Sequence, residues 1–336
     1  NEKLPKWKAL SIFSSDALSS VAYGPEQIML MLTLPGMLAY GYLAPISLAI
    51  LALLAIVTIS YVQVAKVNPG GGGSYSVAIT NLGEMPALTA AAALFADYTL
   101  TVAVSVSAGT AAIISAFPHF AQHEVAMDLF ILFGVLMLVN LRGIRESSTA
   151  FVFPTYGFIL GIIALIGTGI YQALTNQAPI FPPESLVKQM DWTILVLVLR
   201  AFANGCSSMT GLEAISNGVP MFRSPGARNA TITTYWMSGI LGIMFIGTSF
   251  LTMHFHILPL HDITALSQIA ELTFGRGWAY YYIQITTMLV LYLAANTSFN
   301  GLPLLLSILA RDGYMPRYLG VRGERLNFSN GIVLLS

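Results

Sequence analysis

Six stretches of this chain, at about 41–65, 86–117, 124–142, 147–174, 227–257 and 277–310, are long and almost unbroken in their apolarity. A run of about 20 such residues is what carries an α-helix across a bilayer. Composition agrees, with 56% of the residues hydrophobic and only 9% charged, against about 25% charged in soluble domains. Two further runs, about 9–34 and 191–222, have the length of a span but are interrupted. A ninth opens near Phe328. Too few residues follow before Ser336 to complete a crossing at about 1.5 Å each, so the protein is expected to continue. The expected fold class is an all-α polytopic membrane protein.

The basic start, "NEKLPKWKAL", is not followed by a short apolar core with a small-residue cleavage site, so no signal peptide is expected. Cys206 is the single cysteine, which excludes an intrachain disulfide. Net charge is zero and no nucleic-acid partner is expected. The distribution of charge says more. With the N-terminus in the cytoplasm and sides alternating, twelve of the fifteen Lys and Arg residues fall inside: Lys3, Lys6, Lys8, Lys66, Arg142, Arg145, Arg223, Arg228, Arg311, Arg317, Arg322 and Arg325. Lys188 and Arg276 fall outside, and Arg200 lies within a span. This bias predicts a multi-pass cell-membrane protein with a cytoplasmic N-terminus. His119, His123, His254, His256 and His261 sit near outer ends. The pair His254 and His256 lacks a third ligand, so interfacial histidines are the simpler reading.

The interrupted spans are the first and the sixth. "SSDALSSVAYGPEQI", Ser14 to Ile28, holds two acids, four serines and a Gly-Pro pair. "LRAFANGCSSMTGLEAISNGVP", Leu199 to Pro220, aligns with it: Gly24-Pro25-Glu26-Gln27-Ile28 and Gly211-Leu212-Glu213-Ala214-Ile215 share G-x-E-x-I. The sixth lies five spans on from the first, an odd number, so the second copy enters from the opposite side. Broken helices at corresponding places in an inverted repeat are the sequence pointer to a transporter binding site. Unwound backbone survives at membrane depth only where it is buried or lines a cavity, and its freed carbonyls suit a cation. A plain proline kink is the alternative for either span taken alone.

Four carboxylates fall at membrane depth, Asp16, Glu26, Asp97 and Glu213, against one base, Arg200. Each acid costs roughly 2.5–3.5 kcal/mol to insert, and their excess favours a cationic substrate. Asp16 and Tyr23 lie two helical turns apart, while Asp97, Thr101 and Ser105 form one stripe at i, i+4 and i+8. Ser207, Ser208 and Thr210 lie in the sixth-span break, with Glu213 beyond it. Carboxylate and hydroxyl oxygens are hard ligands for hard cations; hydroxyls bonding their own helix or a neighbour are the alternative. Tyr292, Asn296 and Asn300 repeat the stripe in the eighth span, where contact between helices is the favoured reading and a second ion site the other.

Two loops carry sharper motifs. "NPGGGGSY", Asn68 to Tyr75, has a glycine run without the G-K-[ST] of a nucleotide loop. "ARDGYMP", Ala310 to Pro316, follows the eighth span. The chain resembles the amino acid–polyamine–organocation superfamily: P-x-x-G-G-x-Y stands as Pro69 to Tyr75, G-x-E as Gly211 to Glu213, and A-R-D-G-x-[LM]-P as Ala310 to Pro316. The resemblance spans essentially the whole chain. It implies a LeuT-like fold with five-helix inverted repeats, the first over residues 1–174, the second over 191–336, and an extracellular linker at 175–190. Amino-acid carriers of the superfamily usually have glycines in the first break. Here "SSVAYG" follows Asp16, and with Asp97, Thr101 and Ser105 the pattern is similar to the KUP-type potassium transporters, most of all their bacterial KimA-like group.

That resemblance implies proton-coupled potassium import by alternating access. It implies potassium ligands at Asp16, Tyr23, Thr101, Ser105 and Thr210, support from Asp97, and a proton-coupling acid at Glu213. Ser207, Ser208 and Asn296 are secondary candidates. Potassium, protons and the bilayer are the implied partners, a homo-oligomer is compatible with them, and no cofactor is implied. An amino-acid or polyamine transporter on the same fold is the alternative. A potassium channel is more distant, because no T-V-G-Y-G-like filter is present. No nucleophile–base pair or metal-ligand spacing suggests an enzyme.

Overall fold

The computed structural model describes residues 3–33, 40–68, 73–141, 148–175, 192–260, 262–320 and 329–335. Residues 69–72 of the glycine loop, the linker residues 176–190, Arg142, Arg145, Lys188, His261, Arg322, Arg325 and Phe328 lie outside the described residues. The described part is mainly helical, with turns between helices and an isolated parallel bridge between Leu4 and Phe222.

The first span is made of three pieces, α1 (Lys6–Phe13), α2 (Ser15–Ser19) and α3 (Gly24–Thr33). The second is α4 (Leu43–Val67), followed by the short α5 (Ser74–Asn81) and the third span, α6 (Glu84–Ala116). The fourth runs through α7 (Glu124–Leu129), a π-helical stretch over Phe130–Met137, and α8 (Leu138–Leu141). The fifth is α9 (Ser148–Thr175). The sixth is α10 (Trp192–Gly205) and α11 (Glu213–Asn217) with a break between them. The seventh is α12 (Gly226–His254), then α13 (Ala265–Phe274) and the eighth span, α14 (Trp278–Arg311). Helix α15 (Ser329–Leu335) opens the ninth. Seven of these helical runs among the described residues are long and apolar enough to cross a membrane. The first span is too divided to count among them, as its interruption predicts.

Large apolar side chains such as Leu48, Ile56, Phe130, Leu160, Trp236 and Ile243 face outward. In water such a surface would aggregate; against lipid it is the expected outer face. Inside, the buried residues form two apolar cores. One joins the first span, α4, α9, α10, α12 and the N-terminal part of α14; the other joins α5, the middle of α6, the C-terminal part of α14 and α15. Helix α6 serves both, giving Val102 and Val106 to the second core and Ala116 to the first.

At the N-terminal face the first and sixth spans are clamped together. The Leu4 N–H donates to Met221 O at 2.8 Å and the Arg223 N–H to Leu4 O at 3.1 Å. Below this bridge Phe13 stacks on Phe222 with centroids 5.8 Å apart. The two broken spans therefore lie side by side, which positions the site between them.

Candidate functional site

The first break follows from its residues. Pro25 has no N–H to give the carbonyl of Val21, four residues earlier. The chain tightens to a 3-10 turn over Ser20–Ala22 and leaves helical geometry at Tyr23, with φ −120° and ψ −15°. Ser14, Ser15, Ser19 and Ser20 turn their hydroxyls back to carbonyls three or four residues before them, at 2.8 Å for Ser19 to Asp16 O and 2.6 Å for Ser20 to Ala17 O. These are side-chain bonds to the chain's own backbone, and the Leu10 carbonyl also accepts the Ser14 N–H at 3.0 Å.

The second break is sharper. After the 3-10 turn Cys206–Met209, Thr210 is extended, with φ −65° and ψ 162°, and Gly211 takes φ +80°. That left-handed backbone favours glycine, and space demands it too. A Cβ on Gly211 would lie 2.8 Å from Ala17 N and 2.9 Å from Asp16 Oδ2. Gly24 repeats the fit from the other side, since its Cβ would lie 2.9 Å from Ser208 Cβ. The Ser20 hydroxyl also donates to Ser208 O at 2.6 Å. The two breaks interlock, with Asp16 against Gly211.

Asp16, Tyr23, Thr101 and Ser105 are all buried, at 6%, 5%, 5% and 0% exposure, and Tyr23 faces Thr210. Asp97 is half-buried. Asp16, Asp97 and Tyr23 lie close enough to interact electrostatically. Among the described residues no basic side chain forms an ion pair with Asp16, Asp97 or Glu213. Asp16 Oδ1, Ser105 Oγ, Ser207 Oγ and Thr210 Oγ1 are buried without a hydrogen-bond partner among the described residues, as are hydroxyls elsewhere in the fold such as those of Ser47, Ser249, Thr287 and Ser298. Each such orphan costs about 1–3 kcal/mol. Hard oxygens of this kind, with the Asp97 carboxylate nearby, have donor chemistry that suits a dehydrated cation.

Other candidates have different placements. The Ser208 hydroxyl donates to Gly205 O at 2.6 Å. Asn296 Oδ1 accepts from Asn140 Nδ2 at 2.6 Å, tying the eighth span to the fourth. Tyr292 meets Thr110 at 3.3 Å, and the Asn300 amide turns back to Asn296 O at 3.3 Å. That stripe is engaged in contacts between and along helices. Among the described residues no group of three or more His, Cys, Asp or Glu could hold a metal.

Glu213 sits at the edge of the cluster, 8% exposed, and acts electrostatically on Asp97. Its Oε1 accepts from the Ser74 N–H at 2.9 Å and from Asn217 at 3.3 Å, and its Oε2 accepts from Ser74 Oγ at 3.0 Å. Ser74 also meets the Tyr61 hydroxyl at 3.2 Å. The glycine loop thus ends on the broken sixth span. One residue on, the Tyr75 hydroxyl donates to Asp312 Oδ2 at 2.7 Å, so the two loop motifs touch. Sequence reasoning missed Tyr61, Ser74 and Tyr98, the last lying in the field of Asp16, Asp97 and Glu213. Tyr98 was adjacent to a flagged acid, and Tyr61 is a polar ring in an apolar span, which were the available signals.

Comparison with known proteins gives the family. The family model described as "Amino acid permease" matches residues 6–336. A curated relative, "Potassium transporter KimA" of Bacillus subtilis (strain 168), is 47% identical over 337 aligned positions, covering 99% of this chain and 55% of that protein. The chain therefore spans about half the length of the curated relative it matches.

Proposed function

The chain belongs to the amino acid permease family, with its LeuT-like fold, and on that premise we propose that it is the transport unit of a proton-coupled potassium importer working by alternating access. The observation that carries this reading is the set of unpartnered buried oxygens of Asp16, Ser105, Ser207 and Thr210 beside the Asp16–Asp97 pair. The relative's name supports potassium as the ion. Asp16, Tyr23, Thr101, Ser105 and Thr210 supply ligand oxygens, Ser207 and Ser208 border them, and Asp97 offsets the ion's charge. Replacing a hydration shell with fixed oxygens is how proteins select alkali ions.

Glu213 is the proton-coupling group. As a carboxylate it accepts two bonds from Ser74, and charge-assisted bonds are about twice as strong as neutral ones. A proton taken up by one Glu213 oxygen removes that charge and converts an acceptor into a donor. The hold on Ser74 weakens, and the start of α5 is released from the sixth span. Loss of the proton restores the hold. The N-terminus is cytoplasmic, following the bias of basic residues, so this contact is the inner gate. Residues 1–174 and 191–336 are the inverted repeats that rock about the site.

The test is rubidium uptake by the full-length protein in liposomes. Potassium should compete, and excess amino acids or putrescine should not. Inhibition by the organic cations, with none by potassium, would transfer the site to the polyamine reading.

A further inference from the structure

A small, partly open cavity lies outside the central cluster. It sits between the first-span break, α12 and α13, where apolar walls from Val21, Pro25, Leu266 and Ile269 surround the polar groups of Glu26, Thr248 and Thr252. It has about the room that one water molecule needs. An unhydrated potassium ion is close to a water molecule in size.

We propose that this cavity is an outer binding site for a single alkali cation, held by the Glu26 carboxylate before the ion reaches the central site. Three observations meet there. Glu26 is a membrane-depth acid that the central site does not use. Its Oε2 accepts one long bond, 3.3 Å, from the Ala265 N–H, and a carboxylate has acceptor capacity well beyond one bond. Val21 lines the cavity, and its carbonyl is the one that Pro25 deprives of a helical donor. Thr248 adds a hydroxyl whose hydrogen goes to its own helix, to Met244 O at 2.9 Å, leaving oxygen lone pairs to ligate. Carboxylate, carbonyl and hydroxyl are together a hard-oxygen donor set.

The position gives the site a purpose. Val21 and Ala22 immediately precede Tyr23, so one break serves both sites. Helix α13 follows α12 at the face opposite the N-terminus, the outer face in the proposed topology. An ion held here waits one step from the central ligands. This inference rests on the reading that the cargo is an alkali cation.

Thallium, a potassium mimic with strong anomalous scattering, separates the possibilities. Crystals of the full-length protein grown with thallium in place of potassium should give two anomalous peaks, one among Asp16, Ser105 and Thr210 and one beside Glu26. Glu26→Gln keeps an oxygen for the Ala265 N–H and should lose the outer peak while retaining the central one. Thr248→Val spares the helix, whose own bonds do not need that hydroxyl, and should lower the outer peak's occupancy. In uptake assays Glu26→Gln should raise the half-saturating potassium concentration several-fold with little change at saturation. An outer feature without anomalous signal in the wild type, or a peak undiminished in both variants, overturns the proposal. An outer peak without a central one would instead count against the central potassium site.

Discussion

The hydroxyl of Ser20 donates to the carbonyl of Ser208 across 2.6 Å, so the break in one span is held by the break in the other. The same contact brings Gly211 against Asp16, where a Cβ would stand 2.9 Å from Oδ2. Gly211→Ala should therefore fail twice. Left-handed backbone costs alanine about 1–2 kcal/mol, and the added methyl also pushes on Ala17 N and on the carboxylate. Thermal unfolding of the full-length protein in detergent should show a clear loss of stability, and uptake should fall further than the stability loss explains. A silent Gly211→Ala would mean that the breaks do not touch in the functional state.

Asp16→Asn and Asp97→Asn should each abolish or cripple potassium uptake while leaving an inserted, folded protein. Neutralising an acid at membrane depth eases insertion, so lost transport reports on the site. Size-exclusion profiles and surface expression check the fold, and rubidium uptake checks the function. Wild-type uptake at unchanged apparent affinity would remove that residue from the site.

Thr101→Val and Ser105→Ala keep bulk near that of the native side chain and remove an oxygen. Both should weaken potassium affinity more than maximal rate. Ser105→Ala carries the sharper expectation, because its hydroxyl has no protein partner to lose. It should leave unfolding temperature unchanged or raised, while initial-rate titrations shift to higher potassium. An unchanged titration would make Ser105 a packing residue.

The limits of the spans were legible because hydropathy follows from the bilayer. The expected 41–65 and 277–310 correspond to Leu43–Val67 and Trp278–Arg311. The breaks were legible from Gly-Pro and from G-x-E-x-I. What each hydroxyl does was not. Ser19, Ser20, Ser105 and Ser207 look alike in sequence, yet the first two are engaged by backbone and the last two are unpartnered. That difference depends on the local path of the chain, which composition does not encode. The contact of Glu213 with Ser74 was illegible for a related reason. It joins residues 139 positions apart, and only the packed spans bring them together.

The bond from Tyr75 to Asp312 joins two loop motifs that read separately as a turn and a helix stop. Tyr75 is 2% exposed, so Tyr75→Phe leaves the ring in place and strips Asp312 of its donor. A hydrogen bond to a charged group is worth about 1.5–3 kcal/mol. The variant should unfold at lower temperature and give faster exchange of the amides at the start of α5. Unchanged unfolding and exchange would reduce the motif contact to coincidence.

Proton coupling through Glu213 is the centre of the account, and one measurement addresses it directly. Liposomes holding the full-length protein are given equal rubidium on both sides, clamped membrane voltage and an acidic outer buffer. The wild type should concentrate rubidium inside, driven by the proton gradient alone. Glu213→Gln, fixed in a neutral form, should exchange rubidium downhill and concentrate none. Accumulation by Glu213→Gln equal to the wild type would move the coupling to another acid, with Asp97 the next candidate. No response of the wild type to the proton gradient would contradict the account itself.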